Sequence, residues 1–256
     1  MRIIWLAIFI IFSSIPAHAE SVNHDATSKK ELAIVIDDFG NNMEGSKEML
    51  ELPIPLTVAI MPFLSTTEKD AKLAHEKGHE IIIHLPMEPK KGKKSWLGPG
   101  AITTDLSDQE IRKRVEQAIQ DVPYAVGMNH HMGSKATEDE RVMRIILEIC
   151  KENNLYYLDS KTAQKSVIPK IAEELSVPYL ENDMFFDHIY SERHIYQQAS
   201  KLTDRLDNRQ QFIAIGHVGI TGNKVVSALK AYLPEYEKEA KIVPLSALIA
   251  PMIPSL

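Results

Sequence analysis

Cysteine is almost absent from this chain, which carries one, Cys150, in 256 residues. A single cysteine excludes an intrachain disulfide, and its place in the apolar helical pattern of residues 145–150 predicts a small buried side chain rather than a nucleophile. The sequence also lacks a glycine-rich phosphate loop, a G-x-S-x-G motif and zinc-knuckle spacing. A domain without disulfides must be held together by its hydrophobic core, and roughly 225 residues are enough to build one.

Positive charge is also in short supply. The chain has 29 Lys and Arg residues against 35 Asp and Glu residues, which gives a formal net charge of −6. Such a balance opposes binding to a phosphate backbone. We therefore expect no nucleic-acid partner.

The first 19 residues have the features of a secretory signal peptide. Met1 and Arg2 precede the apolar run 3–12, and Ala17-His18-Ala19 forms an A-x-A cleavage site. The apolar run is too short for a comfortable membrane span, although an uncleaved anchor is the alternative. We expect an exported protein, periplasmic or extracellular, with no stable membrane span after cleavage. Residues 20–30 are polar and predict a flexible lead-in to one domain over 31–256.

Apolar runs typical of strands alternate with helical patterns along the rest of the chain. Capping boxes at Ser65–Glu68 and Ser107–Glu110 predict helix starts. This alternation predicts an α/β domain with a parallel sheet, most economically a distorted (β/α) barrel of seven or eight strands, with a doubly wound open sheet as the alternative. The predicted strands cover residues 32–36, 56–61, 81–83, 124–128, 155–158, 177–180, 212–216 and 242–244.

Polar residues follow most of these apolar runs at equivalent places. Ligands of parallel α/β proteins bind at the carboxyl ends of the strands, so closure of a barrel would point these residues at one centre. This pattern is what favours a barrel over an open sheet. The residues are Asp37, Asp38, His84, His131, Asp159, Asp183 and His217.

Carboxylates and imidazoles without a thiolate suit zinc, and also manganese, cobalt, nickel or iron. We predict a divalent metal, zinc first, with Asp38 and His84 as ligands and either Glu88 or His131 as the third. Adjacent strand residues point to opposite faces, so Asp37 and Asp38 should do different jobs. One would bind metal and the other would act as a base or orient it.

Four further residues complete the predicted site as contacts to the ligands or the substrate: Asn129, Asp159, Asp183 and Trp96. Asp159 could orient His217 or a ligand, or could simply cap the next helix. Asp183, like Asp187 nearby, fits loop structure or support of a ligand better than metal binding itself. Trp96 lies among lysines in a long loop, 90–104, which could be a binding loop that stacks on the sugar of an anionic glycan or merely a solvated basic loop.

Five segments together resemble the divergent polysaccharide deacetylase family of bacterial exported proteins. They are Ile36-Asp37-Asp38-Phe39-Gly40, His84-Leu85-Pro86-Met87-Glu88-Pro89, Met128-Asn129-His130-His131-Met132-Gly133-Ser134, Leu158-Asp159-Ser160 and Ala214-Ile215-Gly216-His217. The resemblance covers about residues 32–250. It implies a distorted (β/α) barrel that removes N- or O-acetyl groups from glycans in a metal-dependent reaction.

The resemblance also implies roles for single residues. Asp37 corresponds to the catalytic base, Asp38 to a metal-binding aspartate, His84 to the first metal histidine and His217 to the catalytic acid. The sequence departs from the active deacetylases at two places. Glu88 stands where the second metal histidine would fall, and residues 129–134 replace the arginine-proline segment that supports the base.

These observations predict an exported metal-dependent hydrolase of the polysaccharide deacetylase type. Its substrate would be cell-envelope polysaccharide or peptidoglycan. His217, arriving from the far side of the closed barrel, would protonate the leaving group. The alternative is a catalytically inactive, metal-containing envelope protein that binds glycan or peptide.

Overall fold

The computed structural model describes residues 30–206 and 209–249. The predicted signal peptide, 1–19, and the lead-in up to residue 29 lie outside the described residues, and Lys30 already begins the first strand. Within the described part, nine strands form one sheet in which every pairing is parallel. They are β1 (Lys30–Phe39), β2 (Thr57–Ile60), β3 (Glu80–Met87), β4 (Ala125–Met132), β5 (Tyr156–Asp159), β6 (Tyr179–Glu181), β7 (Met184–Phe185), β8 (Gln211–His217) and β9 (Ala240–Ile242).

Helices follow most of the strands, as the alternating sequence predicts. The described helices are α1 (Ser46–Leu50), α2 (Thr67–Glu76), α3 (Asp108–Asp121), α4 (Glu140–Glu152), α5 (Ile168–Leu175), α6 (Glu192–Leu206) and α7 (Gly222–Glu239). Ser107 caps α3 as predicted, because its hydroxyl accepts from the amide of Glu110 at 3.2 Å. The box predicted at Ser65 is wrong: α2 begins at Thr67, and the Ser65 hydroxyl donates instead to the side chain of Asn41.

The sheet curls until its two ends meet. Its order is β6-β5-β4-β3-β2-β1-β8-β7, with β9 added beside β1. The end strands β6 and β7 are consecutive in the chain, separated only by Asn182 and Asp183. The amide of Asn182 donates to Asp159 on the β5 side, and the amide of Asp183 donates to Ile213 on the β8 side. This single run therefore joins both edges, which confirms the distorted (β/α) barrel; β7 is the strand that the sequence did not predict.

Side chains alternate between the inside of the barrel and the surrounding helices. Leu32, Ile34 and Ile36 face outward, into the larger core shared with the helices. Ala33 and Val35 face inward and pack against a separate, smaller cluster. The main inward residues of the neighbouring strands are Ala59, Ile82, Tyr156, Leu158, Leu180, Ile213 and Ile215.

Two further expectations concern single features of the chain. Cys150 is buried, and burial raises the pKa of its thiol to about 12, so it is a core side chain as predicted. None of the helices in residues 30–206 and 209–249 combines the length and apolarity needed to cross a membrane.

Candidate metal centre

The inward rows of side chains turn polar where the strands end. Continuing the alternation of Ala33 and Val35 leads to Asp37, and the row of Ile82 leads to His84. The row of Ile213 and Ile215 leads to His217. Asp37 and His84 are each only 1% exposed. On each of these strands the next inward-facing position beyond the apolar core is polar, and the barrel brings these side chains to one buried edge.

Asp38, His84 and His131 form a group that could hold a metal ion. One ligand atom from each residue lies within 4.8 Å of the other two. Asp38 Oδ1 is 2.9 Å from His131 Nδ1 and 3.2 Å from His84 Nε2. Two imidazoles and one carboxylate around a common point are a donor set for zinc and similar divalent ions.

The outer nitrogens of both imidazoles are bound to carbonyl oxygens. His84 Nδ1 lies 2.7 Å from the side-chain carbonyl of Asn129, and His131 Nε2 lies 3.1 Å from the backbone carbonyl of Trp96. A carbonyl oxygen only accepts, so each of these nitrogens must carry the proton. The other nitrogen of each ring points toward Asp38. It would face that carboxylate as an N–H when the ring is protonated, and it would offer a lone pair to a metal ion when the ring is neutral. Such outer hydrogen bonds fix the ring orientation and tautomer of metal-binding histidines.

The inner nitrogen of His84 supports the fit to a metal directly. His84 Nε2 is buried and makes no hydrogen bond with proper geometry to any group in the part of the chain that the structure describes. Asp38 Oδ1 lies 3.2 Å from this nitrogen, which is an ion-pair distance, but the two atoms do not have the geometry of a hydrogen bond. Buried polar atoms are nearly always paired, so an unpaired nitrogen aimed at a carboxylate is what a ligand position requires.

The charges in this group favour an ionised Asp38. Burial alone would raise the pKa of Asp38, but the hydrogen bond with His131 and the close imidazole of His84 hold that pKa well below its ordinary value. Burial lowers the pKa of His84, whereas Asp37 and Asp38 raise it, and the net direction is upward. Asp38 is therefore an anion at neutral pH, ready to bind a cation.

The backbone of β1 brings both carboxylates to the same imidazole. Asp37 Oδ1 is 3.7 Å from His84 Nδ1, and Asp38 Oδ1 is 3.2 Å from His84 Nε2. The premise that the two side chains point to opposite faces is wrong here. Asp38 has a left-handed backbone, φ 70°, and the β1–β2 register shifts between Ile36 and Phe39, so the regular alternation ends.

Asn129 connects Asp37 to the metal group. It is fully buried, accepts from His84 through its Oδ1, and donates through its Nδ2 to Asp37 Oδ1 at 2.9 Å. Burial is the largest influence on Asp37 and raises its pKa, although His84 and His217 oppose the rise. A carboxyl with a raised pKa is a stronger base once ionised, which suits a group that accepts a proton from water.

His217 lies beside Asp37 rather than across the barrel from it. The two residues are register partners on β1 and β8, so the expected approach from the far side is wrong. His217 Nδ1 is 2.8 Å from Asp187 Oδ1, and the other oxygen of Asp187 accepts from the backbone amide of His217 and from the Thr221 hydroxyl. The ring of Phe185 stacks on the imidazole with centroids 5.9 Å apart.

The pairing with Asp187 keeps His217 protonated. Burial lowers the pKa of His217, but the hydrogen bond and charge of Asp187, with further help from Asp38 and Asp37, raise that pKa to about 10. An imidazolium held in this way can donate a proton at neutral pH. The predicted site did not include Asp187. Asp159, which was considered as a partner for His217, does not take this role.

Three predicted residues lie away from the metal group. Glu88 accepts from the amide and hydroxyl of Thr104 and pairs with Lys135 at 2.8 Å, so His131 is the third member of the group.

Asp159 faces outward from β5 and accepts from the amide of Lys161. Asp183 binds Arg209 and the amide of Ile213, four residues before the end of the strand that carries His217.

Two other predicted residues can now be placed. Within the pair His130 and His131, it is His131 that faces the site. His130 is buried beside Tyr157, and burial together with the two neighbouring imidazoles lowers its pKa to about 3, so it is neutral. Trp96 reaches the site through its backbone carbonyl, while 58% of the residue is exposed and Lys93 lies 5.6 Å from the ring centroid.

Fold and site together define a distorted (β/α) barrel with a histidine and carboxylate centre at the carboxyl ends of its strands. The chain belongs to the divergent polysaccharide deacetylase family, whose sequence model matches residues 34–249. It is 34% identical over 203 residues to the uncharacterized protein YibQ of Escherichia coli (strain K12), covering 79% of this chain and 63% of that protein. This chain thus spans less than two thirds of that relative's length.

Solved structures share the fold at low sequence identity. The uncharacterized protein ATU2773 from Agrobacterium tumefaciens C58 superposes with a TM-score of 0.80 and 19% identity, over 88% of this chain and 91% of that one. The Bc1960 peptidoglycan N-acetylglucosamine deacetylase has a TM-score of 0.54 and 16% identity, over 87% and 89%. BA3943 from Bacillus anthracis, a CE4 family pseudoenzyme, has a TM-score of 0.51 and 13% identity, over 86% and 66%. The fold therefore occurs in both an enzyme and a pseudoenzyme.

Proposed function

We propose that this protein is an exported, metal-dependent hydrolase that removes acetyl groups from a cell-envelope glycan. The observation that carries the proposal is the group of Asp38, His84 and His131. Both imidazoles are held by carbonyl oxygens so that their other nitrogens converge on one carboxylate. Family membership and the fold shared with a peptidoglycan deacetylase support the choice of reaction. Export rests on the signal-peptide pattern of residues 1–19.

Zinc is the metal we propose, since two histidines, one aspartate and an open position are a common catalytic zinc set. A divalent ion held by Asp38, His84 and His131 would supply Lewis-acid activation of an acetyl carbonyl and of water. Asn129 and the Trp96 carbonyl hold the two imidazoles in the required tautomer.

Asp37 and His217 would move the protons. Asp37, neighbouring the metal group, accepts the proton of the attacking water, and its raised pKa makes it a stronger base. His217, its partner across the β1–β8 ladder, is protonated and can pass a proton to the departing amine or alkoxide. Base and acid lie side by side at the strand ends, so one acetyl group could contact both.

A second function, glycan binding without turnover, has specific support. The arginine-proline segment that supports the base in active deacetylases is absent, and a neutral amide, Asn129, contacts Asp37 in this chain. Glu88 stands at the place of the second metal histidine and is engaged by Thr104 and Lys135. The same fold also occurs in a CE4 family pseudoenzyme.

The deciding experiment compares the parent with Asp37→Asn. We expect the zinc-loaded parent to release acetate from acetylated chitooligosaccharide or peptidoglycan, and chelation to abolish this release until zinc is restored. Asp37→Asn should keep its zinc and lose about 10²–10⁴-fold in rate, because the general base is gone. His188→Ala, which alters an exposed histidine, is the control and should retain the parental rate. Tightly bound zinc with no acetate release from either substrate would favour the binding protein.

A further inference from the structure

A basic pocket opens among the loops at the carboxyl ends of the strands, the end of the barrel that carries the metal group. It has a volume of about 440 Å³ and is walled by loops that follow three adjacent strands. Lys90 and Lys91 follow β3, Ser134 and Glu138 follow β4, and Lys165 follows β5. Loops at the carboxyl ends of barrel strands are where substrates of such folds bind. The pocket is therefore on the ligand side of the molecule.

A hydrogen bond links the pocket wall to the residue that follows His131. Thr162, which also lines the pocket, donates to the backbone carbonyl of Met132 at 2.7 Å. Met132 directly follows His131 and has a left-handed backbone with φ 60°. The hydroxyl of Ser134 accepts from the amide of Lys90 at 3.0 Å. The pocket wall thus contacts the residue that directly follows a proposed ligand in the chain.

The charges that line the pocket do not cancel. Lys90 is paired with Glu138 at 2.6 Å, and the hydrogen bond with Lys90 lowers the pKa of Glu138, so that carboxylate stays ionised. Lys91 and Lys165 are exposed and form no ion pair within residues 30–206 and 209–249. The charge of Lys165 acts at longer range on Glu138, the one carboxylate that lines the pocket. A local excess of two positive charges stands out on a chain whose net charge is −6. Such a site attracts an anion.

We propose that this pocket is a subsite for a negatively charged substituent, a carboxylate or a phosphate, on the glycan bound at the metal centre. The ammonium groups of Lys91 and Lys165 pair with the anion, and the hydroxyl of Ser134, which accepts from the amide of Lys90, can donate its own proton to an anion oxygen. Lysine acts as a point charge and does not by itself distinguish the two anions. This inference deepens the proposed function by naming the class of substrate, and it rests on that function.

The test measures binding rather than turnover. The zinc-loaded protein is titrated calorimetrically with a tetrasaccharide of alternating N-acetylglucosamine and N-acetylmuramic acid, and with the same tetrasaccharide after amidation of its lactyl carboxylates. N-acetylglucosamine 6-phosphate, compared with N-acetylglucosamine, forms the phosphate arm. We expect one charged probe to bind about fivefold to tenfold more tightly than its neutral partner at low salt, and this preference to shrink in 0.5 M salt.

Two double variants locate the effect. Lys91→Gln with Lys165→Gln should abolish the preference for the charged probe. Lys72→Gln with Lys113→Gln removes the same charge from exposed helix surfaces and should leave the preference unchanged. Equal affinity for charged and neutral probes, or an unaltered preference in the pocket variant, would overturn the proposal. Absence of acetate release from every probe would instead contradict the proposed function, while a measured preference for the anion would still stand.

Discussion

Two histidine arrangements share the edge of this barrel and differ in what holds the imidazole. His84 and His131 have their outer nitrogens on carbonyl oxygens, from Asn129 and Trp96. The outer nitrogen of His217 is held by a carboxylate, Asp187. A carbonyl orients a neutral ring and leaves a lone pair on the inner nitrogen, whereas a buried carboxylate also stabilises the ring's positive charge. Asp37 and Asp38 also raise the pKa of His84, but the outer nitrogen of His84 is hydrogen-bonded to an amide carbonyl and that of His217 to a carboxylate. The hydrogen-bond partner of the outer nitrogen thus distinguishes the two proposed metal ligands from the proposed acid.

His130 provides a third arrangement in the same strand. It is packed beside Tyr157, and Asp159 Oδ1, 3.9 Å from its Nε2, is beyond hydrogen-bond distance. Burial and the neighbouring imidazoles lower its pKa to about 3, so it carries no charge. His130 and His131 are adjacent in sequence, yet one faces the outer core and the other the site. Residue type alone could not have separated them, and strand alternation does.

The largest expected effect comes from removing the carboxylate on which the inner nitrogens of His84 and His131 converge. Asp38→Asn should weaken zinc binding by more than 100-fold, because the site loses its anionic ligand. Asparagine tolerates the left-handed backbone of this position, φ 70°, so the fold should survive. Competition with a zinc chelator gives the affinity. His188→Ala, at an exposed histidine, should bind zinc as the parent does. Parental affinity in Asp38→Asn would refute the assignment of the metal group.

A smaller effect is expected when the carbonyl that holds His84 is removed. Asn129→Leu keeps a similar volume but removes both the acceptor for His84 and the donor to Asp37. Changes of this kind typically cost 10- to 100-fold in metal affinity. The zinc affinity is measured by chelator competition, and circular dichroism of the metal-free variant checks that it folds. An affinity within twofold of the parent would show that Asn129 does not orient the ligand.

Much of the site could be predicted from the sequence because strand ends are visible in it. Apolar runs that stop at Asp37, His84 and His217 mark the carboxyl ends of parallel strands, and barrel closure then brings the residues together. The same reasoning gave the fold, eight of the nine described strands and the inclusion of His131 among the candidates. These features depend on local patterns of hydrophobicity, which a single sequence contains.

The remaining features depend on contacts between distant segments. Which of Glu88 and His131 lies beside Asp38 and His84 depends on loop 88–104, where Thr104 engages Glu88 and the Trp96 carbonyl holds His131. Asp187 reaches His217 because the two-residue strand β7 pairs with β8, and so short a strand leaves no pattern. The bulge that turns Asp38 toward His84 likewise has no signature in the apolar run before it.

The smallest expected effect is on the pH dependence of stability when Asp187, the partner of His217, is replaced by asparagine. The folded pKa of His217, about 10, lies above the ordinary value of 6.5, so its protonation stabilises the fold fully below about pH 6.5, and this contribution is lost as the pH rises through about 10. Because 29% of the side chain is exposed to solvent, we expect a loss on the order of 1–2 kcal/mol. In Asp187→Asn the carboxylate is gone, so stability should change less over this range.

The measurement for Asp187→Asn pairs two readouts on metal-free protein. Urea unfolding at several pH values between 6 and 10 gives the stability, and NMR titration of the imidazole gives the pKa of His217. The variant should show a flatter pH dependence and a His217 pKa closer to 6.5. His188→Ala, which leaves the His217 and Asp187 pair intact, should keep the parental slope. An unchanged imidazole pKa in Asp187→Asn would mean that Asp37 and Asp38, rather than Asp187, hold the proton on His217. The same two carboxylates would then set the charge of His217 and of the metal-group histidines, and the contrast between the two arrangements would fail.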